Sequence, residues 1–233
     1  MHRILVIQTA FIGDVVLATA LLQNLHAAYP SATIDILVRQ GADELFTEHP
    51  YVNQVHVWNK KKNKYQHLFQ IIQTIRRIKY DVVINVQRYL ATGIITVLSG
   101  AKKTIGFDKN PLSFLFSVVV AHQFGAAAQA AGGAAEAGAA AQNSNSASLH
   151  ETSRNHALLA SLTTAPVAKP ALYPSAAHFA AVQKWQGAPY ICMSPGSVWE
   201  TKKMPAKKWI DLINAVPTNY SICRSHGLYI LYE

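Results

Sequence analysis

Five short β-branched runs, Arg3 to Ile7, Thr33 to Val38, Gln54 to Trp58, Asp81 to Val86 and Lys103 to Phe107, alternate with helical patterns over the first half of the chain. Several are apolar on both faces, as strands of a parallel sheet are when helices cover both sides. Leu68, Ile71, Ile72, Ile75 and Ile78 recur at helical spacing. That spacing predicts a helix over about Tyr65 to Lys79 with one buried stripe. Alternating β and α selects an α/β fold with a doubly wound parallel sheet. Ligands of such sheets sit at the carboxyl ends of the strands, so the loops after Ile7, Val86 and Phe107 are the informative ones.

The chain has 233 residues, half of them hydrophobic, enough for one large domain or two small ones with a real core. Its 21 Lys and Arg against 12 Asp and Glu favour an anionic partner: nucleic acid, a phosphorylated sugar or a membrane surface. The basic, then apolar N-terminus resembles a signal peptide, but Gln8 and Asp14 interrupt it. An Asp at the centre of an inserting helix costs about 2.5–3.5 kcal/mol, and Gly13 suits a turn. Leu112 to Ala121 is too short to span a bilayer. Cys192 and Cys223 stand far apart in sequence without metal-ligand spacing, which suits reduced cytoplasmic thiols and no metal site.

Residues 125–148 are almost entirely Ala, Gly, Gln, Asn and Ser and cannot build a core; a surface insertion, helical or disordered, is expected within a first domain of residues 1–165. Residues 166–188, containing KPALYPS, read as a linker. A second strand, loop and helix follow at 189–233: Pro189 to Met193 extended, Pro195 and Gly196 turning, and Pro205 opening a helix at its first position.

Asp14 follows the first strand in QTAFIGDVVLATALL, ahead of an apolar helix. It is either a helix N-cap or a functional carboxylate at the ligand end of the sheet. The loop has one glycine, lacks Gly-x-Gly-x-x-Gly and so suits a hydroxyl that needs a base better than a pyrophosphate. A helix N-terminus is expected to hold Asp14 ionised, hence available but weakly basic. SPGSVWETKKMPAKKW offers the complement: Ser197, Thr201, Lys202 and Lys203 precede a helix N-terminus, the outline of a diphosphate site or an ordinary basic turn.

RILVIQTAFIGDVVLATALLQNL, YDVVINVQRYLATGIITVLSGAKKTIGF, HETSRNHALLASL and MSPGSVWETKKMPAKKWIDLIN, in that order, resemble the ADP-heptose:lipopolysaccharide heptosyltransferases, glycosyltransferase family nine. The resemblance implies a GT-B fold of two Rossmann-like domains, the first for a lipid-linked oligosaccharide acceptor and the second for a sugar nucleotide. It also implies inversion without an obligatory metal or other cofactor, with ADP-heptose as donor. Asp14 then takes the place of the proposed base, and Lys202 and Ser197 those of the donor-phosphate contacts. Work at the inner face of the cytoplasmic membrane is implied, with no nucleic-acid partner and a monomer as the expected state.

Arg88 and Gln87, just past the fourth strand, are further candidates for the acceptor's phosphate or carboxylate. Residues 59–65, NKKKNKY, read as a solvated loop or a contact to anionic lipid. His150, Glu151, Arg154 and Asn155 match a family block and are assigned a structural role; Trp185, Trp199 and Trp209 are assigned to packing. A family member is expected to continue past NAVPTNY for on the order of a hundred residues, so the second domain reads as incomplete through a frameshift or truncation; if residues 221–233 are out of frame, their apolar LYILY has no evolved partner. The alternative function is accordingly a catalytically inactive remnant that binds an anionic glycolipid.

Overall fold

The computed structural model describes residues 3–60, 64–123, 150–183, 187, 189–196, 201 and 203–224; the insertion at 125–148, Trp185, Trp199 and the last nine residues lie outside them. The chain divides into two compact units, Met1–Tyr173 and Pro174–Glu233.

The first unit carries a sheet of six strands: β1 (Arg3–Ile7), β2 (Thr33–Arg39), β3 (Val52–Trp58), β4 (Val82–Asn85), β5 (Lys103–Phe107) and β6 (Val118–Val120). Their order is β3-β2-β1-β4-β5-β6, and every pairing is parallel. This is the doubly wound order whose switch point falls between β1 and β4. Ile4 and Val6 enter one core, with Ile34, Ile36, Val82 and Ile84; Leu5 and Ile7 enter the other, with Leu37, Val83 and Trp58. The two-residue period of a strand thus fills both faces at once, which is why RILVI has no polar member after Arg3.

Among its described residues this unit has the α-helices α1 (Ile12–Ala28), α2 (Lys64–Ile78), α3 (Leu90–Leu98) and α4 (Glu151–His156). Ile75 of α2 and Ile95 of α3 join the core of Leu5 and Ile7, while Val15, Leu22 and Leu25 of α1 join that of Ile4 and Val6. The sheet's sixth strand went unseen in the sequence because Val118–Val120 is three residues at an edge. Its position is fixed by Thr104 and Ser117, each backbone N–H donating to the other's hydroxyl at 2.9–3.1 Å.

Residues 166–173, expected as linker, run along α1. Asn24 Nδ2 donates to Pro166 O at 2.8 Å, and Ala168 N and Ala171 N donate to Asn24 Oδ1 and Thr19 Oγ1 at 3.0 Å each. The two buried polar side chains of an otherwise apolar helix are satisfied by this strap, as burial requires. A second, largely buried network crosses the other face. Tyr80 OH donates to Asp35 Oδ2 at 2.5 Å, Asn53 Nδ2 donates to Asp35 Oδ1 at 2.9 Å, and His56 Nε2 lies 2.9 Å from the Tyr80 oxygen. Because the Tyr80 proton goes to Asp35, His56 is the donor in that last bond; burial lowers its pKa, with the Asp35 charge opposing.

The second unit contains α5 (Ala176–Val182), β7 (Tyr190–Met193), α6 (Ala206–Ala215) and β8 (Ser221–Arg224), with β7 and β8 parallel. Pro205 is the N-cap of α6, one position before the expected one: its ψ of 143° is extended, and its carbonyl accepts Trp209 N–H at 3.3 Å. Ser221–Arg224 forms a strand, and Cys192 and Cys223 are register neighbours across it; the apolar LYILY of the tail lies outside the described residues.

Candidate functional site

At the end of β1 the chain turns through Gln8, Thr9 and Ala10 into α1, whose N-cap is Phe11 and not Asp14. Phe11 has no capping side chain, and Asp14 occupies the third helical position, where a carboxylate can reach back to the N-cap amide. The Phe11 amide does lower the Asp14 pKa, but it is outweighed: burial of the half-buried carboxylate, then the nearby charge of Glu151, raise it above 3.8. The direction is therefore opposite to that expected from the helix terminus alone. A carboxylate so held is a stronger base than a solvated one.

Glu151 is in the first turn of α4 and pairs with Arg154 one turn on. The same two charges act on His122, beyond β6: burial lowers its pKa first, then the fields of Arg88 and Arg154, with Glu151 opposing. Asp14, Glu151, Arg154, His122 and Arg88 thus form one electrostatic group at the carboxyl edge of the sheet. Sequence reasoning gave Glu151 and Arg154 only a structural role; the signal that marked them was the HETSRNHALLASL block itself.

The two loops flanking the switch point are tied together by side-chain amides. Gln87 Nε2 donates to Gln8 Oε1, which also accepts Ala10 N–H at 3.3 Å, while Gln8 Nε2 reaches the main-chain carbonyl of Asp14 at 3.5 Å. Gln87 is buried and its amide is turned inward, whereas Arg88 beside it is exposed. Asn110 completes the seam, its Nδ2 donating to Gln87 O and Tyr89 O at 3.1 Å each.

On the other side of α1's N-terminus, Lys60 Nζ donates to Thr9 O at 2.9 Å and Thr9 Oγ1 at 3.1 Å and lies 4.7 Å over the Trp58 ring. It is thus held by the β1 loop and does not stand free in solvent; Lys61 to Asn63 lie outside the described residues. Arg39 places its guanidinium 5.1 Å over the Phe11 ring. In the second unit, Ser194 to Gly196 follow β7 as a loop and Thr201 is exposed, while Ser197 and Lys202 lie outside the described residues.

A six-stranded, doubly wound parallel sheet followed by a partial second strand-loop-helix unit matches the fold of solved GT-B glycosyltransferases of one family. The chain belongs to glycosyltransferase family 9 (heptosyltransferase), whose profile matches residues 68–223. It is similar to lipopolysaccharide heptosyltransferase 3 of Escherichia coli, with 31% identity over 102 residues, 42% of this chain and 30% of the relative. It is also similar to lipopolysaccharide heptosyltransferase 1 of Pseudomonas aeruginosa, with 24% identity over 230 residues, 90% of this chain and 56% of the relative. The chain thus spans from under a third to somewhat over half the length of these curated relatives.

Among solved structures, the glycosyltransferase family 9 protein of Veillonella parvula superposes with a TM-score of 0.71 at 17% identity, covering 96% of this chain and 62% of that one. The E. coli heptosyltransferase WaaC with ADP superposes with a TM-score of 0.67 at 16% identity, covering 95% of this chain and 67% of that one.

Proposed function

We propose that this chain belongs to a glycosyltransferase of lipopolysaccharide core synthesis, which transfers heptose from ADP-heptose to the Kdo or heptose of the inner core with inversion. The observation that carries the reading is Asp14: a half-buried carboxylate at the switch point of a family 9 sheet, its pKa raised by burial and by Glu151. In this mechanism the acceptor hydroxyl attacks the anomeric carbon and its proton passes to Asp14. The bond to the diphosphate oxygen breaks on the opposite face, and ADP departs. Ser197, Thr201 and Lys202 hold the departing diphosphate, no metal or other cofactor being required. Arg88 meets an anionic group of the acceptor, and Gln87, turned inward on Gln8, shapes the loop that presents it.

The protein works in this reading as a monomer at the inner face of the cytoplasmic membrane, on a lipid-linked oligosaccharide and without nucleic acid. The test is incubation of the purified chain with ADP-heptose and heptose-free Kdo-lipid A, followed by mass spectrometry of the lipid. A gain of one heptose supports the reading. Acceptor binding without transfer assigns the chain to the alternative, a glycolipid-binding remnant, and the absence of both refutes the acceptor role of this edge.

A further inference from the structure

Three loops leave the carboxyl edge side by side, after β1, β4 and β5, and the last two end in large apolar side chains that are exposed among the described residues. Tyr89 is 63% exposed and Leu90 51%, at the start of α3; Phe114 is 75% and Leu115 52%, in the turn that follows β5. These are not frayed segments. Asn110, itself 2% exposed, joins the two loops through its bonds to Gln87 O and Tyr89 O. Its Oδ1 accepts Leu112 N–H at 3.0 Å, and its carbonyl accepts Ser113 N–H at 2.9 Å. The exposed side chains therefore stand on a backbone that is already ordered, and binding through them requires little further loss of backbone freedom.

The surroundings of the four side chains say what they fit. Arg88 and Lys109 are exposed on the same two loops, beside Tyr89 and ahead of Phe114. Asp108 is the local counter-charge, 3.7 Å from Lys109. Further along the edge lie Lys60 and Arg39, the latter over a Phe11 that is itself half exposed. Aromatic and Leu side chains at a tip, with Arg and Lys at its base, form the pattern that settles at the headgroup level of an anionic bilayer: rings and alkyl groups enter the interface, and the cations meet the lipid phosphates. A chain with nine more basic than acidic side chains is drawn to the same surface.

We infer that this chain docks on an anionic lipid surface through the paired tips Tyr89–Leu90 and Phe114–Leu115, with Lys109 on the lipid phosphates. The inference deepens the proposed function by naming the face turned to the membrane, the edge that also carries Asp14. It requires neither acceptor sugar nor donor nucleotide.

The test is therefore co-sedimentation of the full chain with vesicles of phosphatidylglycerol and phosphatidylethanolamine, free of lipopolysaccharide, against vesicles of phosphatidylcholine alone. Expected is binding to the anionic vesicles that weakens with added salt. It should fall about tenfold or more in Phe114→Ser/Leu115→Ser, the usual consequence of removing two large apolar contacts, with a wild-type melting temperature. Lys109→Gln should lower binding and its salt dependence together. Wild-type binding in the double variant overturns the inference, as does failure of the wild type to bind. If that variant instead abolishes self-association seen by sedimentation velocity and leaves vesicle binding unchanged, the patch is a protein interface and the lipid reading is wrong. Heptose transfer can fail or succeed independently of each outcome, so the two proposals are tested apart.

Discussion

Gly93→Ala should destabilise the first unit although alanine is the better helix former. Gly93 lies inside α3, and a Cβ there would stand 2.3 Å from Asn110 Oδ1 and 3.1 Å from its Cγ. Asn110 has to move, and with it go two bonds from its Nδ2 and one to its Oδ1. Buried hydrogen bonds contribute about 0.5–1.5 kcal/mol each, so losing three costs roughly 2–4 kcal/mol. Against this the helix gains about 1 kcal/mol from replacing glycine. The net expectation is a loss of about 1–3 kcal/mol, or a melting temperature lower by roughly 3–10 °C for a unit of this size. Urea unfolding and calorimetry measure it directly.

The double-mutant cycle isolates the cause. In an Asn110→Ala background the obstacle is gone, and Gly93→Ala should become neutral or slightly stabilising. Additivity of the two substitutions within about 0.5 kcal/mol would refute the steric argument, as would a Gly93→Ala protein as stable as wild type.

Asp14→Asn should lower heptose transfer roughly 10²- to 10⁴-fold, because the amide keeps the shape and cannot take the proton. Its melting temperature at pH 7 should equal or exceed wild type: a carboxyl whose pKa is raised in the fold loses stability as pH rises through that folded value, and Asn has no charge to bury. Retention of more than about a tenth of the turnover would return Asp14 to a structural role. Lys202→Ala should weaken ADP-heptose binding by about 1.5–3 kcal/mol by calorimetry, and a larger effect of Lys203→Ala would place the donor motif one residue along. Burial lowers the His49 pKa from 6.5 to about 4, so its neutral form is the folded one. Stability should be full above pH 6.5 and fall by on the order of 2–3 kcal/mol as pH drops toward 4. His49→Phe should flatten that limb, and an NMR titration midpoint for His49 above 6 would remove its basis.

How far the sequence led depended on the range of the interaction. β1 and β5 were legible to the residue, and α2 to within one, because side-chain periodicity is a local property recorded in consecutive letters. The strap at 166–173 was not legible. Its prolines and alanines advertise a linker, and what holds it is the pair Thr19 and Asn24, which in α1 look like polar interruptions of an apolar helix. The Gln8 to Gln87 tie joins residues 79 apart, and neither glutamine has a local pattern that names its partner. Gln87 was singled out for its place after a strand, and that place is correct; the direction of its amide depended on Gln8.

Asp14 shows the same division within one residue. Its position at the carboxyl end of β1 follows from the alternation of strand and helix, so a site there was foreseeable. Its ionisation was argued from the helix terminus, the one electrostatic influence that sequence places beside it. Capping, one of the two readings offered for it, rested on equally local grounds, yet Phe11 holds that position. The influences that prevail are burial, which depends on the whole packed edge, and Glu151, brought near by a helix from beyond the insertion. Both oppose the Phe11 amide, so local reasoning had to give the wrong sign. Removing the distal charge with Glu151→Gln should accordingly lower the Asp14 pKa while burial continues to raise it. In carboxyl-carbon NMR, an Asp14 midpoint unchanged in Glu151→Gln would leave burial as the whole cause and detach α4 from the site.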